Sequence, residues 1–81
     1  MNVSIIDGKF KPSDAIDILT QIMQVKIKFH ENKIHQSLHE EDIKMREKRI
    51  KQLQHDLQEI RNFINQNGEF ISLKCTLELT K

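Results

Sequence analysis

Apolar residues recur at intervals of three and four along two long stretches of this chain, and alternate with polar residues along a third. From Asp42 to Asn67 there is no Gly or Pro, and Ile43, Ile50, Leu57 and Ile64 repeat every seven residues, with Leu53 and Ile60 between them. That spacing lays one apolar stripe along a single helix. A lone helix gains too little from its backbone bonds in water, so the stripe needs a partner. The partner is the run from Ser13 to Ile34. There, Ala15, Ile18, Ile22, Val25 and Phe29 form one stripe, and Ile16, Leu19, Met23 and Ile27 form a second beside it. The two together span about half the helix circumference, more than one neighbouring helix occupies. Lys26, His30 and Lys33 fall within or beside this arc, where lysines snorkel and His30 is expected to bond to a neighbour.

The alternating stretch places Ile71, Leu73, Cys75, Leu77 and Leu79 on one face and Ser72, Lys74, Thr76, Glu78 and Thr80 on the other. This predicts a strand with one face on the helices and one in water. Near the N-terminus, Val3-Ser4-Ile5-Ile6 is β-prone and Asp7-Gly8 is a turn dipeptide. Lys9-Phe10-Lys11 then either returns as the second arm of a hairpin or continues as a loop after one short strand.

End signals divide these stretches. Pro12-Ser13-Asp14 starts a helix, with Ser13 as the expected cap and Asp14 and Asp17 favoured by the helix dipole. Ser37-Leu38-His39-Glu40 matches a capping box for the second helix, and Gly68 suits a left-handed exit from it. The seven-residue phase also continues through Gln36, so one uninterrupted rod over 13–67 is the competing arrangement. Its core positions Asn32, Gln36, His39 and Arg46 are all polar, which would unzip such a seam. A rod would also separate the two β segments by roughly 80 Å. The expected fold is therefore α+β, in one domain over 1–81. Two long antiparallel helices (13–34 and 42–67) form a helical hairpin about a connection at 35–41. A short N-terminal strand or β-hairpin (3–11) and a C-terminal strand (70–79) form a small sheet.

Chain length sharpens this. A domain of 81 residues buries only roughly 60% of its unfolded surface, so association would help it. The wide apolar arc of the first helix, and a C-terminal strand longer than its expected partner, both point to a homodimer. The helices are then expected to make a four-helix arrangement, with the strands collected in one small sheet. Thirteen basic and twelve acidic residues leave a net charge of +1, with no general pull toward nucleic acid or anionic membrane. No apolar run approaches the length of a membrane span, and the first residues lack the layout of an export signal. With a single Cys, a reducing, cytoplasmic setting is expected.

Candidate chemistry is sparse. His35 and His39 are four apart with His30, Glu31 and Glu40 nearby, but they straddle the expected turn, and no metal is expected. Cys75 should be buried beside Leu73 and Leu77, where a thiolate is disfavoured. Gly8 and Gly68 stand alone, so neither makes a phosphate-cradling loop, and no cofactor is expected. Lys44, Arg46, Lys48, Arg49 and Lys51 are the most basic stretch, preceded by Glu40, Glu41 and Asp42. Glu40–Lys44 and Glu47–Lys51 have helix-stabilising spacing. The expectation is a non-enzymatic scaffold or protein-interaction module. It would bury the Ile16/Leu19/Met23/Ile27 face and the sheet edge against a copy of itself or another protein. Lys44, Glu47, Lys48 and Lys51 offer a charged recognition face. The alternative is a weak nucleic-acid-binding or regulatory module using the same basic residues.

Overall fold

A computed structural model describes the backbone of residues 1–81 and every side chain except that of Asn67. Four elements follow in order: β1 (Asn2–Phe10), α1 (Pro12–Gln36), α2 (Glu40–Asn67) and β2 (Ile71–Glu78). The chain doubles back between the helices. The Arg61 guanidinium donates to the Thr20 hydroxyl at 3.3 Å and Arg46 lies 3.1 Å from His30, which runs the helices antiparallel. β1 and β2 pair antiparallel into a two-stranded ribbon.

Asp7-Gly8 makes no hairpin turn. β1 is one strand of nine residues, and Gly8 sits within it opposite Leu73, without a left-handed φ. The eight residues of β2 offer a partner along the whole segment, whereas a hairpin with arms this short gains little in water. A bulge lies between Ser4 and Ile6. It has a use: Val3 and Phe10 are an odd number of positions apart, and the extra residue puts both on one face. That face pairs Val3 with Leu77, Ile6 with Cys75, Gly8 with Leu73 and Phe10 with Ile71. The mismatch in strand length expected from the sequence is therefore absent, and with it one of the two arguments for a dimer. Each strand keeps only its outer edge free.

The helix ends are also set differently. Lys11 occupies the N-cap of α1, with Pro12 in the first turn, and no side chain caps it; Ser13 already lies inside the helix. Proline's fixed φ and missing N–H suit that first turn, which removes the need for the Ser13 cap. α1 runs on to Gln36, so the connection is three residues, Ser37 to His39, rather than 35–41. The capping box does not form. His39 is the N-cap of α2, and the Ser37 hydroxyl accepts the His39 amide at 3.2 Å. In a turn this short Ser37 lies two positions before the N-cap, too early to cap the first-turn amides. Glu40, Glu41 and Asp42 in that turn still meet the positive end of the helix dipole. Gly68 ends α2 at φ 62°, in the left-handed conformation its place predicts.

The core sits where the ribbon meets the helices. Ala15, Ile64 and Ile71 are buried together, with Phe10, Ile16, Leu19, Ile60 and Leu73 packed around them. Leu53 and Leu57 extend it along α2, while Ile43 and Ile50 nearer the turn are half-buried. Nothing else among the described residues is a buried apolar side chain. The Cα extents are 46 × 32 × 13 Å. A 28-residue helix is about 42 Å long. The ribbon therefore runs across the end of the helices and does not extend their line. The result is one layer thick.

Candidate interaction surfaces

At the turn end, α1 and α2 meet through polar groups. Arg46, half-buried, donates Nε to Asp42 at 3.3 Å and places its terminal nitrogen 3.1 Å from His30 Nδ1. That contact uses the lone pair of a neutral imidazole tautomer. The neighbour expected for His30 is thus Arg46. Phe29 joins the cluster: its ring lies edge-on to His30 at 5.5 Å, with Lys33 at 5.7 Å and Arg46 at 6.0 Å. The Ser37 hydroxyl, followed by the Arg46 guanidinium, holds the Asp42 carboxyl below the ordinary carboxylate range. An open groove of about 530 Å³ runs beside these residues, reaching Met45, Lys48, Arg49 and Gln52. Of its charged groups Asp42 and Arg46 are tied to one another while Lys48 and Arg49 are not, and its wide mouth would not enclose a small ligand.

The charged face of α2 is exposed at Lys44, Glu47, Lys48 and Lys51. Lys44 pairs with Glu40 at 3.4 Å, as its spacing predicts, and the pair is well solvated. The Glu47–Lys51 pair does not close, so among the described residues Lys48, Arg49 and Lys51 are cations without ion pairs. His55 lies 3.5 Å from Glu59, one turn further on. Among the described residues, no three His, Cys, Asp or Glu side chains gather as a metal site. Among the described residues, no helix is long and apolar enough to cross a membrane.

The two stripes of α1 fare differently. Ile16, Leu19, Met23 and Ile27 are half-buried, and Ile16 and Leu19 pack on the core shared with α2 and β2. The stripe left open is Ile22, Val25 and Phe29, with Val25 70% and Phe29 54% exposed. The sequence does hold a signal for this choice. The half-buried stripe continues through His30 to Ile34 at the end of the helix, whereas the other stops at Phe29. A hairpin must be sealed as far as its turn, so the longer stripe faces α2.

The ribbon's apolar face is likewise covered only at its base. Ile71 is buried and Leu73 half-buried, but Cys75 is exposed, as are Val3, Leu77 and Leu79. The expectation that Cys75 is buried therefore fails. Alternation gives its face correctly; the helices end short of it. Between the ribbon base and the helices, Leu19, Ile60, Phe63 and Leu73 line an open, mostly apolar groove of about 430 Å³. The chain matches no protein-family model, no curated protein and no solved structure.

Proposed function

We propose that this chain is a small, non-enzymatic module that works by self-association, with a homodimer as its working form. The observation that carries this reading is its surface. The chain exposes 6718 Å², whereas a compact monomer of this mass exposes about 5,100 Å². Its radius of gyration is 15.3 Å, against about 12 Å for a compact chain of this length. The surplus of about 1,600 Å² per chain is twice the roughly 800 Å² each partner buries in a standard interface. Exposed large apolar side chains lie on α1, at Ile22, Val25 and Phe29, and on the ribbon, at Val3, Ile5 and Leu77. Folded domains pack at least two layers around a core, and a second copy supplies the missing one. A lone exposed thiol at Cys75 suits a reducing, cytoplasmic setting, where it stays unpaired.

Light scattering over a range of concentrations tests this directly. The expected molar mass is twice the 9.6 kDa of one chain; a mass that stays at one chain at high concentration overturns the reading. A second reading, docking of α2 on a phosphate backbone, is favoured by the unpaired cations Lys48, Arg49 and Lys51. It requires binding to duplex or single-stranded nucleic acid that weakens steeply with salt. Absence of binding at low salt removes it.

A further inference from the structure

We propose that the second copy closes both uncovered apolar faces in one contact: across a two-fold axis, the free end of each ribbon lies on the Ile22–Val25–Phe29 stripe of its partner's α1. This rests on the self-association proposed above and gives it a geometry.

Three observations meet in it. The ribbon face is apolar from its base to its tip but is covered only at the base, leaving Val3, Cys75 and Leu77 open. The α1 stripe is apolar and open on a helix whose other flank is already used. The two patches also have similar lengths. Ile22 to Phe29 spans seven residues of helix, about 10 Å. Cys75 to Glu78, where β2 ends, spans three residues of strand, about 10 Å.

The simpler dimers each leave something over. Pairing α1 with α1 across the axis covers the stripes and leaves both ribbon ends wet. Pairing ribbons edge to edge satisfies backbone groups at the outer edges but leaves the apolar faces and both stripes exposed. Crossed packing covers both faces twice, as an isologous contact requires. It also fits the size of the surplus area, which exceeds what one helix stripe alone would bury.

Cys75 makes the test clean, because it is the single thiol and lies exposed on the ribbon face. The natural chain is mixed with a Val25→Cys/Cys75→Ser chain, unfolded and refolded together, then mildly oxidised. Each chain carries one thiol, so no link can form within a chain. The expected product in the mixed dimers is a disulfide between Cys75 of one copy and the thiol at position 25 of the other, with helical circular dichroism retained. A dimer that links only like positions, or does not link at all, overturns the crossed geometry and leaves self-association standing. A mixture that light scattering finds monomeric overturns both.

Discussion

The two ends of the helical hairpin are built from different materials. At the ribbon end, Ala15, Leu57, Ile64 and Ile71 are buried, and Ala15, Ile64 and Ile71 pack together from α1, α2 and β2. At the turn end there is no buried apolar side chain among the described residues. The helices are joined there by Arg46 to Asp42 and His30, and Leu38 at the tip is 96% exposed. The difference shows what the polar heptad positions do. Asn32, Gln36, His39 and Arg46 break the seam that would make one long rod, and Arg46 replaces apolar packing with directed bonds. Stability should therefore be concentrated at the ribbon end, with the turn end setting direction and not strength.

The largest effect is expected where that contrast is sharpest. Ile64 is 1% exposed at the centre of the core. Ile64→Ala should cost about 3 kcal/mol, counting lost transfer energy and the cavity left behind. Urea denaturation at fixed chain concentration measures it. The equivalent truncation at half-buried Ile43, near the turn, should cost clearly less. Equal losses at the two positions would erase the distinction between the ends.

Next comes the open flank of α1. Val25→Asp should weaken self-association by roughly tenfold or more if that stripe is buried between copies. Sedimentation equilibrium reads the change. The same substitution at exposed Met45 on α2 should leave the association constant nearly unchanged.

The two glycines give a smaller and opposite pair. Gly68 needs its left-handed φ, so Gly68→Ala should cost about 1–2 kcal/mol of thermal or denaturant stability. At Gly8 an added Cβ would meet the Phe10 ring at 3.7 Å, an ordinary contact, and the backbone is extended. Gly8→Ala should be neutral or slightly stabilising, because glycine costs a strand conformational entropy. A large loss at Gly8 would mean that Asp7-Gly8 forms a turn after all.

The smallest effect belongs to the turn end. The Asp42 carboxyl is held below its ordinary range by the Ser37 hydroxyl and the Arg46 guanidinium. A carboxyl with a lowered folded-state pKa contributes stability above its unfolded value. That contribution is lost as pH falls through the folded one. The natural chain should thus be slightly more stable than Asp42→Asn at neutral pH, and the gap should close below the ordinary carboxylate range. A gap that widens in acid would contradict the assignment.

Much of the fold was legible because its signals are periodic. The heptads of α2, the alternation of β2 and the lone Gly68 each follow from backbone geometry alone. Other features depend on distant partners. Asp7-Gly8 is a turn signal by composition, yet a strand eight residues long at the far end of the chain makes extension the better use of it. The cap at Ser13 lost to Pro12 by a matter of two residues, a scale at which local signals compete. For Cys75 the face was readable but its cover was not, since alternation does not state how far the helices reach. Choosing between the two α1 stripes required knowing that the hairpin seam must run to Ile34. No local pattern announced the His30–Arg46 contact, which joins residues far apart in the chain.

In the proposed dimer each copy is a single layer whose folding the other completes. Thermal unfolding followed by circular dichroism over a hundredfold range of chain concentration is the sharpest check of that coupling. Coupled folding and association predict a Tm that climbs steadily with concentration. A Tm independent of concentration, in a chain whose mass remains that of one copy, would contradict it.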